Sequence, residues 1–491
     1  MTSRINLLFV LIAISTVFII MPSPVLADVR MSKIFSDNMV LQRDTEITVW
    51  GWADSGEQVT VTLGGQNRVA ETGIDGRWEV SLTSMKAGGP FKMLVNGKNS
   101  LEFSNILVGD VWICSGQSNM EWPISRSADA DNEIAHADYP EIRLFTVPRE
   151  IAVIPADDLA GGNWEECSPE TVASFSAVGY FFGRHIHKET GVPVGLINSS
   201  WGGTIAETWI SRETMGTIDD FKEVMASADL IDLQQRQAET VNGGPNSFPT
   251  LLFNGMINPV TSFNIKGAIW YQGESNAGRA YQYREVFPAL ITDWRKQWGQ
   301  GELPFFFVQL ANFMAPVSDP VESGWAELRE AQAMTLSLPA TGMAVAIDIG
   351  EADDIHPLNK QDVGKRLALS ALKVTYGRDI VHSGPVYDYM RVEGDGIRIG
   401  FTSTGSGLMS KDKYGYLKGF TIAGKDRKFH WARAIIENND VVVYSDQVSN
   451  PVAVRYAWAN NPDDANLCNN EGLPASPFRT DDWPGITFGV K

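Results

Sequence analysis

The sequence predicts an α/β domain set between two smaller β domains. Short β-like runs separated by turn residues occupy 28–106, and the same pattern returns over 379–491. Between them, over 107–378, strand-like runs alternate with helical stretches, which is typical of an α/β sheet. A chain of 491 residues also exceeds one ordinary core, since domains usually hold about 100–200 residues. We therefore expect three domains with these boundaries after an N-terminal leader.

The leader, residues 1–27, has the pattern of a secretory signal peptide. Arg4 gives a positive start, the run from Leu7 to Met21 is apolar, and Val25-Leu26-Ala27 offers a small-residue cleavage site. The apolar core is shorter than the ~20 residues that a bilayer requires, which disfavours a retained anchor. The expectation is an exported protein, periplasmic or extracellular, that is not held in a membrane after cleavage.

The flanking domains are predicted from short strands of β-branched and aromatic residues. Over 28–106, turn signals such as Gly64-Gly65 and Asp75-Gly76 separate the strands at the spacing of a small β-sandwich, whereas 379–491 is expected to be β-rich. The predicted strands are Ile47–Trp52, Val59–Leu63, Trp78–Leu82, Ile397–Phe401 and Val441–Tyr444. The final segment, 460–491, is rich in Asn, Asp, Pro and Gly and is expected to form irregular surface structure.

The central domain is predicted from six apolar runs and three amphipathic stretches. In the longest amphipathic stretch the apolar residues recur at i, i+3 and i+4, which is helical spacing. The strands are Val111–Cys114, Ile142–Thr146, Val194–Asn198, Gly267–Trp270, Phe305–Gln309 and Met343–Ile347. The helices are Ser176–Glu189, Ala280–Trp298 and Lys360–Tyr376.

Composition excludes several classes of function. The formal charge of −19 disfavours binding to nucleic acid or anionic lipid. Three cysteines are too few for a disulfide framework; Cys114 is expected to be a buried thiol, and a bridge between Cys167 and Cys114 or Cys468 stays open. The six histidines form no metal-ligand pattern, so no metal and no cofactor are expected.

The first chemical feature is the stretch from Gly109 to Met120, where an apolar run ends in Ser-Gly-Gln-Ser. Open α/β sheets bind ligands at the carboxyl ends of their strands, which makes Ser118 a candidate nucleophile. Ser115 is closer to the strand and more suited to the turn. The alternative is that Ser118 only caps the following helix. Because Asn119 follows the serine, the Gly-x-Ser-x-Gly elbow of α/β-hydrolases is absent.

A candidate base lies in the segment Asp353-Asp354-Ile355-His356-Pro357. Either carboxylate could bond His356 Nδ1 and leave Nε2 free to accept the serine proton. The alternative is that one of the two aspartates merely caps the next helix.

Two further loops can supply oxyanion donors. One contains Gly202-Gly203, whose backbone can approach a ligand closely, and the other places Gln272 just after a strand. Since Ser118, Gly203, Gln272 and His356 all follow predicted strands, they are expected to gather at one edge of one sheet.

In these motifs the sequence resembles the sialate O-acetylesterase family of the SGNH (GDSL-like) hydrolase superfamily. The strings Ser-Gly-Gln-Ser-Asn-Met and Trp-Tyr-Gln-Gly-Glu-Ser-Asn are highly specific. The resemblance covers nearly the whole mature chain and implies an SGNH-type three-layer α/β/α hydrolase domain between the two β domains. The matching stretches are Phe35–Gln42, Gly109–Trp122, Leu196–Ile210, Phe253–Pro259, Gly267–Asn276 and Asp354–Leu369.

The resemblance implies a role for each matching residue. Ser118 would be the nucleophile and His356 the base, while Ser118, Gly203 and Gln272 would form the oxyanion hole. Gln272 stands where many members of the superfamily have asparagine.

The resemblance leaves the acidic residue open. The superfamily's Asp-x-x-His spacing selects Asp353, whereas the Asp-Ile-His-Pro string of this branch favours Asp354. Glu274 and Asn254 are expected to bind substrate by shaping the pocket.

The resulting functional hypothesis is a secreted serine esterase that removes O-acetyl groups from sugars, with an acetylated glycan as its partner. An acetylated hemicellulose, such as acetyl-xylan or acetyl-xyloglucan, is the rival substrate to an O-acetyl sialate. Arg126 or Arg279 could face a sialate carboxylate, and Trp122, Trp201 or Trp209 could stack on sugar rings. Two other classes stay open, an inactive glycan-binding protein and a lipase-like esterase.

Overall fold

The computed structural model describes residues 28–227 and 242–491, so the predicted signal peptide lies outside the described residues. Within the described ranges, no helix is long and apolar enough to cross a membrane. The chain forms a mixed α/β structure, as predicted, with a large sheet at its centre and smaller sheets at both ends.

The N-terminal part is built from eight strands. β6 alternates exposed and buried residues along its whole length, which is the pattern of a strand with one face on a core that includes Val49, Trp50 and Val59. The strands are β1 Arg30–Met31, β2 Val40–Gln42, β3 Ile47–Trp52, β4 Gln58–Leu63, β5 Gln66–Glu71, β6 Arg77–Leu82, β7 Gly88–Asn96 and β8 Ser100–Gly116.

Strand β8 joins the N-terminal part to the central sheet. Its first half pairs antiparallel with β7, and its second half lies between two parallel strands of the central sheet. The predicted boundary near residue 106 therefore falls inside one continuous strand. A rigid strand, not a linker, connects the two parts.

The central sheet has the strand order β10-β9-β11-β8-β12-β13-β14. All neighbours are parallel except β10, which is antiparallel to β9. Every residue of β11, β12 and β13 is buried, as expected when helices cover both faces of a parallel sheet. The strands are β9 Tyr139–Thr146, β10 Trp164–Cys167, β11 Val194–Ser200, β12 Gly267–Tyr271, β13 Phe305–Gln309 and β14 Thr341–Val345.

The three predicted helices are confirmed. Ser176 caps the first by accepting a bond from the Gly179 N–H, and Gly191, in the left-handed conformation, ends it. The described α-helices are α1 Ser118–Glu121, α2 Ala130–Ala135, α3 Pro169–Val172, α4 Ala177–Thr190, α5 Arg212–Met215, α6 Lys222–Ser227, α7 Ala280–Trp298, α8 Gly324–Met334 and α9 Lys360–Val374. Short 3₁₀ turns lie at Ile124–Arg126, Ala206–Trp209, Asp219–Phe221, Asn258–Val260, Glu274–Arg279 and Thr335–Ser337, and a π-helical turn at Phe253–Ile257.

The C-terminal part contains two four-stranded sheets, ordered β15-β16-β21-β20 and β19-β18-β22-β24, and the pair β17-β23. Its strands are β15 Val386–Glu393, β16 Gly396–Thr402, β17 Leu408–Ser410, β18 Phe420–Ala423, β19 Phe429–Trp431, β20 Arg433–Glu437, β21 Asp440–Tyr444, β22 Ala453–Tyr456, β23 Leu467–Asn469 and β24 Phe478–Arg479.

The expectation of irregular surface structure over 460–491 is wrong in part. Two of the C-terminal strands lie in this segment, and Cys468, Ala475 and Asn469 are inaccessible to solvent. The buried Glu327 of α8 accepts the backbone N–H groups of Ile486 and Thr487 at 2.7 and 3.1 Å. A segment rich in turn residues can enter the interior because its backbone N–H groups find hydrogen-bond acceptors there.

The cysteines settle one further point. Cys114, Cys167 and Cys468 are all buried free thiols, so no disulfide joins Cys167 to either of the other two. Burial raises the pKa of the Cys167 thiol to about 12 and that of Cys114 further, which makes both unreactive at neutral pH.

Candidate active site

The candidate loops meet at one edge of the central sheet. Gly116, the last residue of β8, is in register with Ser200 of β11 on one side and Tyr271 of β12 on the other. A Cβ on Gly116 would lie 2.2 Å from the Tyr271 carbonyl oxygen, and its φ of +136° belongs to glycine. This glycine lets β8 end abruptly and places Ser118 at the start of α1 just above the edge.

Ser118, His356 and Asp354 form a connected chain of side chains. Ser118 Oγ lies 2.9 Å from His356 Nε2, and His356 Nδ1 lies 3.1 Å from Asp354 Oδ1. The same carboxylate oxygen accepts the backbone N–H of His356 at 2.8 Å, which fixes the imidazole against its partner. The arrangement leaves Nε2 facing the hydroxyl, as a general base requires.

The structure also decides between the alternatives for these residues. Asp354, not Asp353, is the carboxylate that bonds the imidazole, so the geometry favours Asp354 as the acid. Neither aspartate caps the following helix, because Asn359 does so. Ser118 is the first residue of α1 and not its cap, and Ser115 is fully buried.

The imidazole of His356 lies against Trp122. The two rings stack with centroids 4.6 Å apart and planes 13° apart, and the guanidinium of Arg126 lies 3.8 Å from the Trp122 ring centroid. Desolvation lowers the pKa of His356, and the bond to Asp354 opposes that shift. The ring is therefore neutral at pH 7 and able to accept a proton.

The loop after β11 supplies a backbone donor beside the nucleophile. A Cβ on Gly202 would lie 3.2 Å from Ser118 Cβ, so the loop passes directly alongside the serine. Gly203 follows in the left-handed conformation, with φ of +77°, and is exposed. In the described ranges neither its N–H nor that of Ser118 has a protein acceptor, which leaves both free for an oxyanion.

Glu121 holds this loop in place, and sequence reasoning missed it. Glu121 Oε2 accepts the Gly202 N–H at 2.8 Å, and Glu121 Oε1 accepts Arg149 Nε at 3.0 Å. Since Glu121 and Ser118 share the single turn of α1, the bond ties the glycine loop to the nucleophile. The three-residue spacing after the serine was the only signal available in the sequence.

Gln272 does not fit the predicted oxyanion role. Its side chain is inaccessible to solvent, and its amide Nε2 already donates to Thr204 O at 3.1 Å and Asn276 Oδ1 at 2.6 Å. Its Oε1 accepts the Tyr283 hydroxyl at 2.9 Å. With both amide hydrogens used, Gln272 fastens the β11 and β12 loops to each other and has no donor left for a substrate.

Asn254 does not fit the predicted substrate-binding role either. It is buried in the π-helical turn, and its Nδ2 donates to the carbonyls of Ala152 and Val153 at 3.1 and 3.0 Å. These bonds anchor the chain around residue 152, so the role of Asn254 is structural.

Glu274 belongs to a polar network beneath the site. Asn119 donates to Glu274 Oε1 at 2.6 Å and to the Ile355 carbonyl at 3.0 Å, and it accepts a bond from the buried Lys360. Burial raises the pKa of Glu274 and lowers that of Lys360 to about 7. Asn119 thus links the nucleophile's helix to the loop that carries His356, a role that its place directly after Ser118 in the sequence did not reveal.

The three tryptophans predicted to stack on sugar rings differ in how deeply they are buried. Trp209 is fully buried and unavailable to a ligand, Trp122 is nearly buried under Arg126, and Trp201 is partly exposed. Among residues 28–227 and 242–491, no three His, Cys, Asp or Glu side chains are placed to hold a metal ion.

The chain is similar to known proteins along most of its length. The family model described as "Carbohydrate esterase, sialic acid-specific acetylesterase" matches residues 108–373. The sialate O-acetylesterase of Mus musculus is 31% identical, over 91% of this chain and 94% of the mouse protein. That of Homo sapiens is 30% identical, over 94% of this chain and 95% of the human protein.

A solved structure extends the likeness to three dimensions. A carbohydrate acetylesterase from Xanthomonas citri superposes with a TM-score of 0.85 at 43% identity, covering 93% of this chain and all of that one. The fold and the site together define a carboxylic ester hydrolase of the carbohydrate esterase class. Within that class, the chain belongs to the sialate O-acetylesterase family, as the sequence motifs indicated.

Proposed function

We propose that the protein removes O-acetyl groups from sugars through an acetyl-serine intermediate. The observation that carries the proposal is the 2.9 Å contact between Ser118 Oγ and His356 Nε2, with Asp354 behind the imidazole. A serine hydroxyl is a weak nucleophile until an adjacent base takes its proton, and this contact supplies the base.

In the proposed reaction, Ser118 Oγ attacks the acetyl carbonyl carbon while His356 Nε2 takes the hydroxyl proton. The N–H groups of Ser118 and Gly203 donate to the oxyanion, and Asp354 stabilises the imidazolium. His356 then returns the proton to the sugar oxygen as the C–O bond breaks. A water molecule then attacks the acetyl carbonyl carbon while His356 takes its proton. His356 returns that proton to Ser118 Oγ as the acyl C–O bond breaks, which releases acetate and restores the serine.

The scaffold we propose is an SGNH-type three-layer α/β/α domain, flanked by β domains, in an exported protein. Helices α4 and α9 pack closely, since a Cβ on Gly364 would lie 2.7 Å from the Phe182 nitrogen. Helices α7 and α8 pack together as well, linked by the Arg284–Glu330 ion pair at 2.5 Å. The leader pattern over 1–27 supports export to the periplasm or beyond.

For the substrate we propose an O-acetylated sialate, in line with the names of the mouse and human relatives. Arg126 is exposed beside Trp122 and His356, and within the described residues it makes no ion pair that would compete for a carboxylate. Arg279 is a poorer candidate because Glu207 already pairs with it at 2.8 Å. An acetylated hemicellulose is the second candidate, favoured by the −19 charge of the chain, which disfavours an anionic sugar.

The deciding experiment is acetate release from 9-O-acetyl sialic acid, acetyl-xylan and acetyl-xyloglucan, with Ser118→Ala as the inactive control. Arg126→Ala should raise KM for the sialate alone if its guanidinium meets the carboxylate. An equal effect on acetyl-xylan would mean that Arg126 does not recognise a sialate carboxylate.

The remaining classes are tested with the same samples. A wild-type protein that binds glycans but releases no acetate from any ester would be a binding protein. A series of aryl esters with longer acyl chains would expose a lipase-like enzyme if rates rose beyond acetate.

A further inference from the structure

A second cleft lies apart from Ser118, between residues 316–322 and the C-terminal sheet that contains β18, β19 and β22. Its volume is about 630 Å³, within the range of small-molecule binding sites. None of Ser118, His356, Gly203 or their bonded partners lines it. The cleft is therefore a separate feature of the surface, at the junction of the central and C-terminal parts.

The cleft presents a fixed aromatic surface. Trp431 ends the edge strand β19 and is 43% exposed, which is unusual for a residue of its size. Its indole N–H donates to the Ser318 carbonyl at 2.8 Å, so the ring is held by the opposite wall of the cleft. A tryptophan that is fixed and still partly exposed can stack on a flat apolar face with little loss of side-chain entropy.

The polar lining suits hydroxyl groups better than a charged ligand. Arg455 is nearly buried and already bonded to Asp481 and Glu322, at 2.8 Å in each case, so its charge is neutralised. Asp463 and Asp464 are exposed at another part of the wall and can accept hydrogen bonds. The other charged side chains of the lining are Asp319, Arg427 and Lys428, which leaves acidic and basic groups close to balance.

We propose that this cleft binds an uncharged oligosaccharide segment of the substrate glycan, at a site distinct from that of ester cleavage. The apolar faces of sugar rings stack on tryptophan, and their hydroxyl groups donate hydrogen bonds to carboxylates. The cleft around Trp431 offers both. Its four carboxylates outnumber its three cations, so it lacks the net positive charge that would favour a phosphate or uronate. The proposal rests on the proposed function for the class of ligand. Polymeric esters should consequently be bound more tightly than small ones.

The test separates binding from catalysis by using full-length Ser118→Ala protein. Isothermal titration with neutral probes, xylohexaose and a xyloglucan heptasaccharide, should show saturable binding. Adding Trp431→Ala should weaken that binding about tenfold or more, since buried aromatic contacts dominate such sites. Tyr414→Ala is the matched control, because Tyr414 is also an exposed aromatic of the C-terminal part but does not line the cleft.

A double variant, D463N/D464N, guards against misfolding of the tryptophan variant because both residues are exposed. It too should weaken binding with an unchanged Tm. In active protein, which keeps Ser118, Trp431→Ala should leave kcat/KM for 4-nitrophenyl acetate unchanged. The same substitution should raise KM for an acetylated polymer. Failure of the wild type to cleave 4-nitrophenyl acetate would contradict the proposed function and leave the binding result intact. The cleft proposal is overturned if neither probe binds, if Trp431→Ala binds as well as Tyr414→Ala, or if a sialylated oligosaccharide binds more tightly than the neutral probes.

Discussion

Replacing Asp354 by Asn tests the arrangement around His356 most directly. Asp354 contributes one charge-assisted bond to the imidazole, at 3.1 Å, and a second bond to the His356 backbone N–H that an amide oxygen can keep. A hydrogen bond to a charged group contributes about 1.5–3 kcal/mol. The Asp354 side chain is 49% exposed, so solvent screening puts the loss near the lower end.

At about 1.4 kcal/mol per factor of ten, kcat/KM of Asp354→Asn should fall about tenfold. A buried triad aspartate would give a loss of about 10⁴. The measurement is kcat/KM for 4-nitrophenyl acetate, with Tm recorded for each variant. Asp353→Asn is the matched control, since it removes the same charge from the neighbouring exposed residue, and it should change the rate less than twofold on the same physical scale.

Three outcomes would refute this reasoning. Equal losses in Asp353→Asn and Asp354→Asn would mean that general charge, not the specific bond, supports the histidine. An unchanged rate in Asp354→Asn would remove Asp354 from the mechanism. A loss near 10⁴ would mean that the site closes over the carboxylate during the reaction and desolvates it.

The other predictions concern the base, the glycine loop and the strand end. Because burial lowers the pKa of His356 and the proton acceptor is the neutral ring, kcat/KM should fall with decreasing pH at a midpoint below 6.5. Asp354→Asn loses an interaction that raises this pKa, so the midpoint of its pH profile should lie lower still. A midpoint above 6.5 in the wild type would contradict the argument that burial lowers the pKa of His356. Glu121→Ala should lower kcat about tenfold or more with little change in KM, because the Gly202 loop loses its anchor. Glu121→Gln keeps an acceptor and should recover most of the rate. Equal losses of kcat in the two variants would argue against a positioning role for Glu121. Gly116→Ala should destabilise the fold by about 3 kcal/mol or more in denaturant titrations, since its Cβ would clash with the Tyr271 carbonyl, and a stability equal to the wild type would show that the strand end can relax.

The local pattern of the chain determined most of the scaffold. All six strands and all three helices predicted for the central part are present, because apolar periodicity depends on residues close in sequence. The prediction that Ser118, Gly203 and His356 share one sheet edge followed from the parallel arrangement itself, since parallel strands end at the same side.

Three assignments required the folded structure. The sequence left Asp353 and Asp354 as alternatives, and only the folded loop shows that the Asp354 carboxylate reaches His356 Nδ1. Gln272 and Asn254 occupy positions that suggest ligand contact, but partners such as Thr204 and Ala152, distant in the sequence, use their amide hydrogens.

The division has a physical reason. Whether a strand or helix forms is decided largely by neighbouring residues and the burial of one face, which a single sequence displays. Whether a polar side chain is free for chemistry depends on which donors and acceptors surround it after folding, and those come from segments far apart in the chain. The sequence alone therefore determined the mixed α/β class and predicted that Ser118 and His356 lie together. Only the tertiary structure showed which aspartate bonds the imidazole, that Glu121 anchors the Gly202 loop, and that the side-chain amides of Gln272 and Asn254 are used within the protein.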